Sequence, residues 1–287
     1  MMNRLLNIEL TSNCKANCSM CPRENVKDFG YIRIETINKI IEKVKNYTLF
    51  EISLSGRGEP TFHPQLCEIL ERLKTLSTPV SIVTTTDGLN EGNYKSCIDK
   101  VDIFRVSVSS IDRDGFNKIH RGLDYDKIWG NIKLLVNYKP EKINVHLVGG
   151  KDTYSTLEET IKFFKDNGVN NIHLFPLWNR GGSIGEQNIA ELRKELVKKY
   201  NISYSEDEYL SEEKTKLLLS PGYCPIGDTS IVINYKGDMI GCFQDFANDT
   251  KICSVYDSKV DFLKERAKLF KNMPVCKNCN SALMVRK

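Results

Sequence analysis

No apolar run in the chain reaches the roughly 18 residues needed to cross a membrane. The start, MMNRLLNIELTSNC, turns polar too soon for a secretory signal peptide. Excess charge is also scarce. The net charge is +4 and acids interrupt the basic clusters, so the pattern of a nucleic-acid groove is missing. There is no internal repeat and no low-complexity tract. These absences leave a cytoplasmic globular protein as the expectation. At 287 residues it suits one large domain, or one domain with a small appendage.

What the chain does have is ten cysteines. In a secreted chain they would suggest disulfides; in a cytosolic one, clustered spacings favour metal binding. Cys14, Cys18 and Cys21 form a CxxxCxxC motif in the loop after the first expected strand. Three thiolates can hold three irons of a 4Fe–4S cube and leave the fourth iron open to a chelating ligand. A structural zinc would need a fourth protein ligand, and this loop offers none. Cys224, Cys242, Cys276 and Cys279 form a second set, ending in a CxxC pair. Four thiolates suit either a saturated cluster or a zinc ribbon. For Cys67, Cys97 and Cys253, the expectation is the small buried hydrophobe that a free cysteine usually is. Cys253 is also a candidate for facing an active site.

Apolar, β-branched runs alternate with helical patterns. Strands are expected at Leu5–Leu10, Phe50–Leu54, Val80–Thr84, Ile103–Ser109, Ile143–Val148 and Ile172–Leu177. Helices are expected at Ile34–Val44, His63–Leu73, Leu89–Ile98, Phe116–His120, Tyr125–Val136, Leu157–Lys165, Gln187–Lys199 and Val260–Phe270. The fold class is therefore α/β: six parallel strands in a closed or partly closed barrel, the partial (β/α)6 form being the one expected. Asn201–Leu210 reads as a polar linker or lid. Thr229–Asn234 and Met239–Cys242, joined across Lys236-Gly237-Asp238, read as a β-hairpin. The expected division is 1–182, 183–220 and 221–287: barrel, linking segment, and a small hairpin-plus-helix domain.

The first cysteine motif resembles that of the radical S-adenosylmethionine (SAM) superfamily, CxxxCxΦC after the first barrel strand. Met20 stands where an aromatic residue is usual. Ser55-Gly56-Arg57-Gly58-Glu59-Pro60 is similar to the family's GGEP motif, and Thr85-Thr86-Asp87-Gly88 to its TNG segment. The resemblance implies SAM contacts from Gly56, Gly58, Glu59, Thr86, Ser107, Ser109 and Arg121. Glycine lets backbone carbonyls approach a ligand ammonium, and a guanidinium suits the SAM carboxylate. The implied chemistry is reductive cleavage of SAM to a 5′-deoxyadenosyl radical.

The C-terminal stretch resembles the twitch domain, a short form of the SPASM extension. That resemblance implies a second 4Fe–4S cluster on Cys224, Cys242, Cys276 and Cys279. The Asn179-Arg180-Gly181-Gly182 loop, the Gly241–Phe246 stretch and the terminal CxxC are similar to twitch-type aminocyclitol dehydrogenases of the 2-deoxy-scyllo-inosamine kind. These oxidise a ring alcohol to a ketone. Arg180 is the implied substrate residue, held charged and hydrogen-bonding. Phe175, Trp178 and Tyr223 are candidate pocket walls, and His120, His146 and His173 are read as ordinary polar positions. The implied partners are a small sugar-like or aminocyclitol-like substrate and an electron donor such as flavodoxin or ferredoxin. Peptide modification and carbohydrate epimerisation are the competing readings. The first strand starts near residue 5, which leaves no N-terminal room for a leader-binding domain.

Overall fold

The structure is a computed structural model that describes residues 4–90, 94–176, 190–204, 230–243, 245–248, 250–258, 261–262 and 264–265. Arg180, Trp178, Tyr223, Cys224, Cys276 and Cys279 lie outside the described residues, as does most of the helix expected from Val260.

Strands β1 (Arg4–Ile8), β2 (Leu49–Leu54), β3 (Val80–Thr84), β4 (Ile103–Val108), β5 (Ile143–Gly149) and β6 (Asn171–Pro176) pair parallel in chain order. Helices α1 (Ile34–Val44), α2 (Leu66–Leu73), α3 (Tyr94–Lys100), α4 (Arg113–Ile119), α5 (Tyr125–Tyr138) and α6 (Leu157–Asp166) fill the crossovers. The cause is visible in α1. Ile34, Ile37, Ile40 and Val44 fall on one helical face, and all are buried. Each of β1 to β6 contributes fully buried apolar residues, such as Leu6, Ile52, Ile82, Val106, Val145 and Leu174.

Among the described residues the sheet is open and ten-stranded, in the order β10 (Lys251–Ser254), β9 (Asp238–Ile240), β8 (Ser230–Ile233), β1 to β6, then β7 (Ser203–Tyr204). Two parts of it depart from the expectation. The segment read as a linker or lid contains β7 (Ser203–Tyr204), which follows α7 (Ala190–Tyr200) and pairs parallel to β6. The His173 Nδ1 to Ser203 Oγ hydrogen bond, 2.7 Å, fastens it. A two-residue strand is too short to show any periodicity.

The hairpin, β8 (Ser230–Ile233) and β9 (Asp238–Ile240), forms as expected, and β10 (Lys251–Ser254) extends it. However, β8 pairs parallel to β1, so the hairpin continues the barrel sheet. Gly237 turns it with φ +86°. A Cβ there would lie 2.8 Å from both Thr36 Cγ2 and Val255 Cγ2, so only glycine fits. Cys253 is buried in the core, with its Sγ 4.0 Å from Met239 Sδ.

Candidate functional site

A cavity of about 220 Å³ opens where the strands β2 to β6 run toward their carboxyl ends. Cys14, Cys18, Met20 and Cys21 form one wall, and Ser55 to Glu59 form another. Ser107, His146 and Phe175, from three successive strands, add further wall, and His120 reaches in from the end of α4. The strand pairing sets Ser107 beside His146 and His146 beside His173.

The cysteine loop is tied down on several sides. Ser12 Oγ donates to Asp28 O at 2.9 Å, and Thr11 Oγ to Gly30 O at 2.6 Å. Arg23 Nη1 donates to both Ser12 O and Arg57 O at 2.8 Å, and Glu59 N–H donates to Asn13 O at 2.8 Å. Gly58 lets the two loops meet: a Cβ there would lie 2.3 Å from Thr11 O and 2.6 Å from Asn13 O. Cys14 is pushed up to about 11 by burial and by the Glu59 carboxylate. Cys18 is raised further, by burial and by Cys21 and Cys14. Such thiols keep their protons until a cation replaces them.

This donor set fits a cluster better than a single ion. Among the described residues, no three of His, Cys, Asp or Glu converge tightly enough to hold one metal ion. Three thiolates that each bind a different iron of a cube need no such convergence. Cys242 follows the hairpin strand ending at Ile240, and its suggested co-ligands lie outside the described residues.

Glu59 is 3% exposed and fully engaged by the chain itself. Oε1 accepts from Thr61 N–H, Thr61 Oγ and Thr84 Oγ; Oε2 accepts from Thr85 N–H and Thr85 Oγ. A carboxylate has about four lone-pair sites, so these donors saturate it. Glu59 thus knots the ends of β2 and β3 together.

Of the residues that the resemblance assigns to SAM, Gly56, Gly58, Glu59 and Ser107 line the cavity. Thr86, Ser109 and Arg121 are not among its lining residues. Thr86 has φ +71°, which turns the chain away after β3, and its hydroxyl points at Ile128 O. Ser109 follows the end of β4 and is fully buried, with no hydrogen-bond partner for its oxygen. Arg121 is exposed, and its Nε donates to Asn17 O at 3.1 Å, bracing the cysteine loop from outside.

Sequence reasoning passed over three contributors. Arg57 binds Glu9 through a buried fork. His120 places Nδ1 3.6 Å from Cys18 Sγ, and burial pulls its imidazole down to about 4. His146 faces the cavity two residues before Val148, which also lines it. That alternation along β5 was the available signal.

Residues 8–164, more than half of the chain, match the profile of the Radical SAM superfamily. The chain belongs to the radical SAM superfamily. It is 30% identical over 203 residues to a probable GTP 3',8-cyclase of Saccharolobus islandicus, covering 69% of this chain and 65% of the relative. The chain therefore spans just under two thirds of that relative's length.

Among solved structures, it resembles Streptococcus suis SuiB bound to precursor peptide SuiA. The TM-score is 0.68 at 17% identity, over 96% of this chain and 66% of SuiB. It also resembles BtrN in complex with AdoMet and 2-DOIA, with a TM-score of 0.61 at 16% identity. That alignment covers 98% of this chain and 94% of BtrN. Similarity at this identity speaks to the fold, which these radical SAM proteins share. No described helix is long and apolar enough to cross a membrane.

Proposed function

We propose that this radical SAM enzyme is a cytoplasmic oxidoreductase. Its substrate is a small, hydroxyl-rich molecule of sugar or aminocyclitol type, and it oxidises an alcohol carbon to a ketone. The observation that carries the reading is one cavity that joins the three cysteines and the Gly56–Glu59 loop to the polar side chains of Ser55, Ser107 and His146. When bound, the cluster and SAM would supply a 5′-deoxyadenosyl radical for hydrogen abstraction, and a second cluster on Cys224, Cys242, Cys276 and Cys279 would take the remaining electron.

The chain's own part is binding and orientation. Gly56 and Gly58 bring backbone close to the ligand, and Ser107 and His146 offer hydrogen bonds to it. Below Ser55 the interior stays polar. Asn7 Nδ2 donates to Ser55 Oγ at 2.5 Å, and Ser53 Oγ lies 3.4 Å from it. Ser55, Ser107 and His146 suit hydroxyls, while Phe175 and Val148 supply apolar wall. The reading gives Arg180 the role of substrate anchor. It requires an electron donor such as flavodoxin or ferredoxin.

A second reading, nucleotide cyclisation, is favoured by the 30% identity to a probable GTP 3',8-cyclase. The test is anaerobic incubation with SAM and reductant, offering aminocyclitols, sugars, GTP and peptides in separate arms. A ketone lighter by two hydrogens supports the first reading. A cyclised nucleotide or a cross-linked peptide overturns it.

A further inference from the structure

We propose that His120 donates a hydrogen bond from Nδ1 to the Cys18 sulfur and thereby raises the reduction potential of the cluster held by Cys14, Cys18 and Cys21. The inference rests on the cluster reading given above.

Nδ1 lies 3.6 Å from Cys18 Sγ. Nε2 is buried and has no hydrogen-bond partner. A neutral imidazole carries one N–H. Placing it on Nε2 would orphan a buried donor, whereas a bare acceptor there is tolerated more readily. The proton therefore sits on Nδ1, aimed at the sulfur. Once Cys18 is a thiolate it has no proton to give, so His120 is the donor.

The backbone holds the ring in place from both sides. Ser19 N–H donates to Ile119 O at 2.9 Å, and Asn17 N–H donates to Arg121 O at 2.6 Å. The imidazole stacks on Phe116, with centroids 4.9 Å apart and planes at 30°. Gly122, at φ +81°, lets this turn approach the cysteine loop: a Cβ there would lie 3.0 Å from Lys15 O. The residues flanking His120 are thus stitched to residues flanking Cys18. Hydrogen bonds to cluster sulfurs are one of the levers that set iron–sulfur potentials. A donor draws charge from the sulfur and favours the reduced cluster. His120 acts through Cys18, so it is a positioning and tuning residue.

The test is an EPR-monitored redox titration of the full, anaerobically reconstituted chain. The signal followed is the one missing from the Cys14→Ala, Cys18→Ala, Cys21→Ala protein. His120→Phe keeps the ring's bulk and removes the donor; its midpoint should move to a more negative potential. His120→Asn sets an amide N–H near the Nδ1 position and should restore the midpoint. An unchanged midpoint in His120→Phe overturns the proposal. Should that variant lose its cluster, His120→Asn is compared with His120→Gln, whose amide reaches toward the Nε2 side. A more negative midpoint for the glutamine variant supports the proposal, and equal midpoints overturn it. If the unaltered protein has no signal that depends on the three cysteines, the cluster reading itself falls, which is a separate result.

Discussion

Arg57 and Glu9 meet in a two-bond fork, Nε to Oε2 and Nη2 to Oε1, both at 2.8 Å. Their side chains are 3% and 5% exposed. The Arg57 N–H also donates to Glu9 Oε2, and Nη1 reaches Asp28 Oδ1 at 3.0 Å and Phe246 O at 3.4 Å. One guanidinium therefore joins the end of β1, the cysteine loop and the segment after Cys242. Removing one partner of a buried pair strands the other charge and costs about 3–5 kcal/mol. Arg57→Met should lower the denaturant midpoint by an amount of that order. The double variant Arg57→Met, Glu9→Leu should recover much of the loss. Equal stability of Arg57→Met and the unaltered protein would show that the pair is not structural.

Gly58 is the contact between the cysteine loop and the loop after β2. Added Cβ would meet backbone atoms, Thr11 O and Asn13 O, which cannot rotate away as a side chain can. Gly58→Ala should therefore displace the cysteine loop, at a cost of about 1–3 kcal/mol. Iron analysis of the reconstituted variant should show less iron than the unaltered protein. Full iron content with unchanged stability would contradict the close approach.

Reconstituted protein should hold about eight irons, as two cubes of four. The triple change Cys14→Ala, Cys18→Ala, Cys21→Ala should halve this and abolish 5′-deoxyadenosine formation. Cys276→Ala with Cys279→Ala should spare SAM cleavage more than product formation. Four irons together with stoichiometric zinc in the unaltered protein would count against a second cluster.

The sequence was most legible where a signal is local. Ile34–Val44 and Val80–Thr84 form with the bounds that their apolar periods indicate. The CxxxCxxC spacing marked one cavity wall for the same reason. Long-range relations left no such trace. Periodicity identifies β8 as a strand and does not name β1 as its neighbour. Arg57 and Glu9 are 48 residues apart, and nothing local to either predicts the other. The family resemblance gave Ser109 the same role as Ser107, whereas β4 ends at Val108 and Ser109 lies beyond it. Thr86 stands in the stretch similar to the TNG segment, and nothing local in that stretch announces its positive φ or its hydroxyl's contact with Ile128 O.

Glu51 supplies a pH dependence. Burial alone would raise its carboxyl, but the Arg105 fork and the Ser81 hydroxyl outweigh this and hold it below the ordinary 4.5. A depressed folded value means that the unfolded chain binds the proton more readily. The stabilisation is therefore complete above the ordinary value and fades as pH falls through the depressed one. Urea midpoints should drop on acidification below about pH 4.5. Glu51→Gln should start lower at neutral pH and show a flatter acid limb. An acid limb as steep in Glu51→Gln as in the unaltered protein would assign the effect elsewhere.

The reaction should be a dehydrogenation and not an epimerisation. In the former, one hydrogen leaves the alcohol carbon as an atom, captured as 5′-deoxyadenosine. On the proposed reading the hydroxyl proton would go to solvent and one electron to the proposed second cluster. The product is lighter by two hydrogens, and none returns to carbon. An epimerase must return a hydrogen, and a thiol facing the substrate is the usual chemical means. Cys253 was the candidate for that role. It sits buried against Met239 on the hairpin and is absent from the cavity wall. Its burial, first, and the nearby Asp257 carboxylate push the thiol up to about 11, as suits a packed core position. Cys253→Ala should therefore keep most turnover and cost about 1 kcal/mol of stability from the small void it leaves. Run in heavy water, the reaction should place no deuterium on the product carbon. A product of unchanged mass apart from one deuterium, formed by the unaltered protein and not by Cys253→Ala, would reverse the assignment.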